Sequence, residues 1–397
     1  MTAYSRESGP VPGSGDALRL RPGPHRAAHG HPWVFAGELE TLPSPEQKTA
    51  ALYDQRGRFL GRGMVNSQSQ IVWRRYSGDD VPFDDGLVRD RLERAFRIRR
   101  AAGFGHVCRL FWSESDGIPG LVVDRYGEIL VIQALTRLVD ACLEGISGIL
   151  VELLAPRCIL ARNDAPVREY EGLPRTTAVL YGVLQPDESI LLDGMRFAFD
   201  PLHGQKTGFY LDQKEQYGRV AAFSRGGRVL DAFCNQGAFG LFAARAGARE
   251  VTAVDSSQQA IDLVSANAAA NGLLQITPVA CNVFDFFREQ RSERWDCIIL
   301  DPPPFAPSKR QLAGAVRGYK ELNLRAAHAL TPGGILASYS CSHHVDHDTF
   351  SAILREALAD AGRTARLVEY CHQPADHPVI LGMPESEYLR GMILQLD

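Results

Sequence analysis

The chain has 397 residues, of which 45% are hydrophobic and 23% charged, a composition typical of a globular protein with a large core. It has no apolar run long enough to span a membrane and no apolar signal region at its N-terminus. Because its eight cysteines form no CxxC pair or regular spacing, we expect a cytoplasmic protein without a disulfide framework.

The net charge of −4 is unevenly distributed along the chain. Residues 1–110 carry 17 basic and 12 acidic side chains, a net charge of +5, whereas the remainder carries 26 and 35, a net charge of −9. Of the 17 basic residues, 16 are arginine, which contacts phosphate in a bidentate manner. This asymmetry favours a polyanionic partner, although solubilising surface arginines would give the same count.

The first half of the chain predicts a leading segment and two domains. Residues 1–16 are rich in Gly, Pro and Ser without periodicity, which predicts a disordered lead. Short strand-like pieces broken by Gly and Pro then predict a β-rich domain over 17–80. An arginine-rich helical pattern over 87–103, followed by strand-like segments and a helical pattern over 138–154, predicts a central α+β domain over 81–190.

Strand-like and helix-like segments alternate in the last part of the chain, residues 191–397. The strand-like segments are 228–233, 250–255, 275–281, 295–300 and 335–340, and the helical ones are 238–247, 257–271, 284–291 and 311–330. This alternation predicts an α/β fold with a doubly wound, Rossmann-like parallel sheet and right-handed crossovers. Residues 191–215 would form a hairpin that links this domain to the preceding one.

The loop after the first of these strands indicates which cofactor the sheet binds. It contains only Gly237 and Gly240 and is not GxGxxG, so a pyrophosphate has little preformed cradle and a dinucleotide-dependent oxidoreductase is disfavoured. Asp255 ends the second strand, where an acid would bind the two ribose hydroxyls, and Asn282 follows the third. An adenosine cofactor without phosphates, S-adenosylmethionine, fits this set. Taken singly, Asp231 and Asp255 could be strand-end caps.

Two segments about forty residues apart place Asp301 and Cys341 directly after strand-like runs. Ligands bind at the carboxyl ends of the strands in an open α/β sheet. An acid and a thiol held together there can attack an electron-poor ring and stabilise the charge that develops, the chemistry of pyrimidine C5 methylation. Most lone cysteines are buried apolar groups. The nearby His343, His344 and His347 match no usual zinc spacing, so we expect no metal site.

A series of motifs runs in order through nearly the whole chain. They are HPWVFAGEL (31–39), GIPGLVVDRYGEILVIQ (117–133), GQKTGFYLDQKE (204–215), LDPPPF (300–305), RGYKELNLRA (317–326), SCSHH (340–344), ADHPV (375–379) and PESEYLRG (384–391). Together they resemble the bacterial large-subunit ribosomal RNA cytosine-C5 methyltransferase family. Its members are class I S-adenosylmethionine-dependent enzymes with an N-terminal PUA domain.

The resemblance implies a role for each candidate residue. Cys341 would add to cytosine C6 to form a transient covalent adduct, and Asp301 would hydrogen-bond the ring at N3 or the exocyclic amine. The base that removes the C5 proton is not identified. The implied cofactor-binding residues are Asp231, Phe233, Gly237, Asp255, Asn282 and Asp301, with Thr207 and Asp212 contributed by the linker.

The resemblance of the first domain to PUA implies that it docks RNA, although a small β-rich domain could instead stabilise the chain or mediate dimerisation. The candidate RNA-binding residues are Arg74, Arg75, Arg91, Arg94 and Lys309. The implied partner is 23S ribosomal RNA, naked or in a precursor particle, with the target base unpaired or flipped. No membrane partner is expected, and PUA-bearing relatives suggest a homodimer.

Several other functions are compatible with parts of this sequence. The DPPPF segment with one later cysteine also resembles uracil-C5 enzymes, although their iron–sulfur cysteine cluster has no counterpart here. Methyltransferases of guanine or adenine amines usually carry NPP and need no cysteine. Pro304 and Phe305 occupy the stretch where another cytosine-C5 family has a second cysteine, so product release would differ from that family. A protein or small-molecule methyltransferase, or a non-catalytic RNA-binding protein, would not explain the whole set of features.

Overall fold

The computed structural model describes residues 16–305, 311–342 and 344–397. The candidate RNA-binding residue Lys309, His343 and nearly all of the predicted N-terminal lead lie outside the described residues. The chain divides into two compact units. The first unit runs to Pro186 and adds 201–209 and 375–386, and the second consists of 187–200, 210–374 and 387–397.

A five-stranded sheet opens the first unit. Its strands are β1 (Ala17–Arg19), β2 (Trp33–Phe35), β3 (Thr49–Tyr53), β4 (Phe59–Val65) and β5 (Ile71–Ser77), in the order β1-β3-β4-β5-β2. Only β1 and β3 pair in parallel. Trp73 fills the core and donates to the Ala50 carbonyl at 3.0 Å. Gly63 on the adjacent strand is required because a Cβ there would lie 2.3 Å from the Trp73 ring.

A second five-stranded sheet completes the first unit. Its elements are α1 (Asp85–Ala101), β6 (Val107–Trp112), α2 (Ser113–Asp116), β7 (Leu121–Tyr126), β8 (Ile129–Ala134), α3 (Arg137–Ala141), α4 (Leu143–Leu154), β9 (Cys158–Asn163), α5 (Val167–Tyr170) and β10 (Thr176–Gly182). The strand order is β10-β9-β8-β7-β6. Asp84 caps α1 by accepting from the Leu87 N–H at 2.9 Å. The single helix predicted over 138–154 is two helices that meet at Cys142.

The second unit contains one large sheet and a separate hairpin. Its elements are β11 (Ser189–Leu192), β12 (Met195–Ala198), α6 (Lys214–Ala221), β13 (Arg228–Ala232), α7 (Ala238–Arg245), β14 (Glu250–Asp255), α8 (Gln258–Ala270), β15 (Ile276–Ala280), α9 (Val283–Glu289), β16 (Trp295–Leu300), α10 (Leu312–Ala329), β17 (Leu330–Ser340), α11 (His347–Asp360), β18 (Ala365–His372) and β19 (Arg390–Leu396). The hairpin β11–β12 is antiparallel.

The seven-stranded sheet has the order β15-β14-β13-β16-β17-β19-β18. Strands β13 to β17 are mutually parallel, which confirms the predicted Rossmann-like α/β fold. The sequence pattern did not indicate β18 or β19, and β19 pairs antiparallel to both of its neighbours. Leu230, Ile298 and Leu336 on the central strands are fully buried, as expected for a sheet covered by helices on both faces. In the described part of the chain, no helix has the length and apolarity that crossing a membrane would require.

Candidate active site

Strand register brings Asp301 and Cys341 to the same end of the sheet. Strands β16 and β17 are adjacent and parallel, and Leu300 is paired with Ser338. Asp301 therefore follows β16 by one residue, and Cys341 follows β17 by one residue, at the carboxyl ends of neighbouring strands. Ligands of open α/β sheets bind at this edge. Asp231, in the next strand β13, is paired with Ile299 and belongs to the same edge.

The predicted cofactor loop between β13 and α7 has an unusual backbone. Phe233, Asn235 and Gly237 have φ values of 64°, 48° and 82°. A side chain at Gly237 would be strained at this φ, and its Cβ would lie 2.7 Å from a Leu241 methyl carbon. At Gly240, a Cβ would lie 3.0 Å from the Asp231 carboxylate. Both glycines therefore allow the loop and α7 to pack closely against β13.

Asp231 is a buried acid near the end of β13, beside this loop. It is 1% exposed, and its Oδ2 accepts from the Gly240 N–H at 2.8 Å. Burial raises the pKa of Asp231 to about 7, against the lowering effect of that hydrogen bond, with Asp301 and Asp255 contributing to the rise. The other carboxylate oxygen, Oδ1, is buried and has no hydrogen-bond partner among the described residues. An orphaned acceptor here suits a ligand that brings a hydrogen-bond donor, as S-adenosylmethionine would.

We expect Asp231→Asn to raise the thermal midpoint at pH 8 by about 3–10 °C. A carboxyl whose pKa is higher in the folded than in the unfolded state destabilises the fold once it ionises. This cost begins as the pH rises above the ordinary value of 3.8 and is complete above about 7. The gain should therefore shrink toward pH 5 in a series of thermal melts. Asp262→Asn, at an exposed position on α8, is the control. A gain that does not vary with pH would contradict the explanation.

Asp255 and Asn282 hold the neighbouring loops. Asp255 is half-buried and accepts from the Asn235 and Ser257 N–H groups, both at 3.0 Å. Asn282 caps α9 by accepting from the Phe284 N–H at 2.9 Å. Asp255 therefore caps the end of β14, and Asn282 caps the start of α9. A carboxylate can accept about four hydrogen bonds, so Asp255 retains capacity for ribose hydroxyls. The residues at this edge fit an adenosine cofactor.

Cys341 lies between two serines that are tied to one tyrosine. The thiol is half-buried and donates to the Pro302 carbonyl oxygen at 3.8 Å. Ser340 donates to the Tyr319 hydroxyl at 3.1 Å, and the same hydroxyl is hydrogen-bonded to Ser342 at 3.0 Å. The Tyr319 hydroxyl thus holds the backbone on both sides of the cysteine. Sequence reasoning missed Tyr319, although the RGYKELNLRA motif contains it.

Polar residues just before α6 include a direct partner of Asp301. The half-buried Asp301 carboxylate accepts from the Gln213 amide at 3.0 Å. Asp212 is 3% exposed and accepts from the Tyr388 hydroxyl at 3.0 Å. The pKa of Tyr210 is raised, chiefly by burial and then by the negative charge of Asp301. Gln213 and Tyr210 were missed as site residues, although both lie in the GQKTGFYLDQKE motif.

Thr207, predicted to bind the cofactor, belongs to the first unit. Its buried hydroxyl donates to Asp124 at 2.6 Å and is hydrogen-bonded to the Tyr126 hydroxyl at 2.7 Å. Asp124 also forms a buried ion pair with Arg109 at 2.8 Å. These bonds give Thr207 a structural role within its own unit. Its contact with the cofactor stays a prediction.

The four described arginines that were predicted to bind RNA differ in environment. Arg74 pairs with Glu114 at 3.3 Å and with Glu171 at 3.0 Å, and its side chain is 12% exposed. Arg75 is half-buried and donates to the Gly30 carbonyl, and Arg91 is also half-buried. Arg94 is exposed on α1. Of these four, Arg94 is therefore the most accessible to a phosphate. Across 16–305, 311–342 and 344–397, no cluster of three or more His, Cys, Asp or Glu side chains could hold a metal ion.

Two domain families and a solved structure match this chain. Residues 19–78 match the PUA-like domain family, and residues 219–365 match the methyltransferase small domain family. SMU.776, described as a methyltransferase, was solved in complex with SAH and matches with a TM-score of 0.82 at 21% identity, over 96% of this chain and 99% of that one. Together with the loop and strand-end geometry, these matches define an S-adenosylmethionine-dependent methyltransferase with a Rossmann-like catalytic domain and a PUA-like domain.

Relatives with higher sequence identity define the family. The protein named ribosomal RNA large subunit methyltransferase I from Aeromonas hydrophila is 39% identical over 381 residues, covering 92% of this chain and 95% of that protein. Its namesake from Photobacterium profundum is 40% identical over 378 residues, covering 91% and 94%. The chain belongs to the ribosomal RNA large subunit methyltransferase I family.

Proposed function

We propose that this protein methylates carbon 5 of a cytosine in large-subunit ribosomal RNA through a transient bond between Cys341 and C6 of the base. The main support is the position of Cys341 and Asp301, which leave adjacent parallel strands at the ligand-binding edge of the sheet. The names of the relatives support ribosomal RNA as the substrate.

The bound cofactor supplies an electrophilic methyl group, and the side chains make the base nucleophilic. Cytosine C5 is a poor nucleophile until a thiolate adds to C6. When the Cys341 thiolate forms its bond to C6, the C5–C6 π electrons move toward C5 and the ring carbonyl. This negative charge reaches N3 through C4, and N3 holds a proton while the charge is present. Asp301 stabilises the protonated ring by accepting a hydrogen bond at N3 or from the exocyclic amine. The electron pair at C5 would then form the bond to the methyl group, while the methyl–sulfur bond breaks and its electron pair stays on the sulfur of the departing demethylated cofactor.

Removal of the C5 proton completes the reaction. The electron pair of the broken C5–H bond re-forms the C5–C6 double bond and expels the Cys341 thiolate, so the enzyme turns over. The hydroxyl of Tyr319 holds both serines next to Cys341, which fixes the backbone around the thiol in both steps. The base that accepts the proton is not assigned. Because the reacting atoms lie in the ring plane of a stacked base, the target must be unpaired or flipped.

RNA docking by the first unit forms part of the proposal. Arg94, Arg97 and Arg100 are exposed along α1, where they could neutralise phosphates. Replacing all three with Gln is expected to weaken RNA binding about tenfold and to flatten its salt dependence, because each phosphate contact releases counterions. Binding titrations across a series of salt concentrations measure this. Arg366→Gln, an exposed arginine on β18, is the control. If the dependence of RNA affinity on salt concentration is unchanged, RNA binds to another surface of the protein.

A homodimer and a cytoplasmic location stay predictions.

The decisive experiment identifies the product nucleoside. The purified protein is incubated with labelled S-adenosylmethionine and large-subunit ribosomal RNA that lacks C5 methyl marks, as naked RNA and as precursor particles. The RNA is then digested and analysed by mass spectrometry. 5-Methylcytidine is the expected product. If the product is 5-methyluridine, the thiol mechanism stands but the substrate base is uracil, in line with the resemblance of the DPPPF segment to uracil-C5 enzymes. A methylated exocyclic amine would overturn the thiol mechanism.

A further inference from the structure

Gln213 has an environment that is hard to explain by folding alone. It ends a 3₁₀ turn, Leu211–Gln213, just before α6, and its side chain is 2% exposed. Its Nε2 donates to the Asp301 carboxylate at 3.0 Å. Its carbonyl oxygen, Oε1, is buried and has no hydrogen-bond partner among the described residues. A buried polar atom without a partner destabilises the fold, so a ligand that supplies a donor there would be favoured.

The orientation of this amide follows from the charge on Asp301. An ionised carboxylate only accepts hydrogen bonds, so the N–H end of Gln213 must face it. The opposite orientation would bring two acceptors together. Because both ends belong to one amide group, the unpaired Oε1 lies close to the Asp301 carboxylate. Gln213 thus presents a fixed donor to Asp301 and a fixed acceptor beside it.

We propose that Gln213 selects cytosine over uracil, by holding Asp301 as a hydrogen-bond acceptor and by accepting a hydrogen bond from the exocyclic amine of the base. This assignment rests on the proposed function. Cytosine presents an amine where uracil presents a carbonyl oxygen. Uracil would therefore place its own acceptor against the acceptors of Gln213 and Asp301, leaving buried groups unpaired. A site built around a hydrogen bond rejects the analogue that lacks the donor far more strongly than a merely apolar pocket does.

The chain contains a matched control for Gln213. Gln216 lies three residues further on, is 1% exposed and donates to the His372 carbonyl at 3.0 Å, while its own Oε1 also has no partner among the described residues. It therefore shares the residue type and burial of Gln213, but its amide donates to the backbone of β18 rather than to Asp301. Loss of either amide should affect folding similarly. Only the loss of Gln213 should affect base selection.

The test compares Gln213→Met and Gln213→Glu with Gln216→Met and the wild type. The substrates are an unmethylated large-subunit ribosomal RNA transcript and the same transcript with uridine at the modified position. For the Gln213 variants, kcat on the cytidine transcript should fall about 10–100-fold. KM for RNA, and the Kd for S-adenosylmethionine measured by calorimetry, should change less than about threefold. The preference for cytidine over uridine should fall at least tenfold, with Gln216→Met close to wild type.

The outcomes distinguish a failure of the role proposed for Gln213 from a failure of the proposed cytosine-C5 activity. If the wild type yields no 5-methylcytidine, the proposed function fails and the role of Gln213 fails with it. If the wild type yields 5-methylcytidine but both Gln213 variants keep its base preference, only the role of Gln213 is overturned. An equal loss of kcat in Gln216→Met would also overturn it, because the effect would then be structural. Gln213→Glu keeps the shape of the side chain. If Gln213→Met does not fold, Gln213→Glu is the variant that is compared with the wild type and Gln216→Met.

Discussion

Cys341→Ala protein is expected to lose at least about 10⁴-fold in kcat while it still binds S-adenosylmethionine and RNA with near wild-type affinity. Without the thiol, no nucleophile adds to C6, and C5 stays too electron-poor to take the methyl group. Single-turnover assays with labelled cofactor measure the loss. Calorimetry with the cofactor alone shows that the cofactor site persists.

The same variant tests the covalent bond directly. A transcript that carries 5-fluorocytidine cannot lose a proton from C5 after methyl transfer, so the wild-type protein should remain joined to it under denaturing conditions. Cys341→Ala should give no such complex. Cys142→Ala is the control, because Cys142 is also half-buried but lies between two helices of the first unit. A covalent complex formed by Cys341→Ala would assign the nucleophile to another residue.

Asp301→Asn is expected to reduce kcat about 10²–10³-fold with little change in cofactor affinity. The amide has the shape of the carboxylate but no negative charge, so it is a weaker acceptor for N3–H or the exocyclic amine and favours the protonated ring poorly. Its N–H group would also oppose the Gln213 amide, which donates to Asp301 in the native protein. Single-turnover rates at saturating RNA measure the effect. The covalent complex with 5-fluorocytidine RNA should form more slowly by a similar factor.

Asp296 provides the matched control for Asp301 on the same strand. It lies near the opposite end of β16, where its carboxylate accepts from the Arg228 N–H at 2.9 Å and from the Thr331 hydroxyl at 3.1 Å. Asp296→Asn should lower stability modestly and leave kcat within about threefold of wild type. Equal losses in both variants would indicate that Asp301 acts through folding rather than on the base.

The sequence by itself predicted the parallel core of the catalytic sheet and two residues at its edge. This succeeded because alternation of strand and helix patterns is local, and right-handed crossovers then leave little choice of topology. Asp301 and Cys341 could be assigned to one edge since each directly follows a buried apolar run, and parallel strands end on the same side. The glycines of the cofactor loop were likewise readable from their position after the first strand.

Only the tertiary structure decided which partners the polar side chains have. Gln213 and Asp301 are 88 residues apart in the chain, and Arg74 and Glu171 are 97 apart. The number of arginines in residues 1–110 favoured a nucleic-acid partner, but it could not show that Arg74 is paired with two glutamates. Strand β19 enters the sheet between β17 and β18 in the antiparallel direction, against the order of the chain. The local sequence pattern shows which face of a helix or strand is buried. The hydrogen-bond and ion-pair partners of a buried polar group depend on the strand order and on which charged groups are buried beside it.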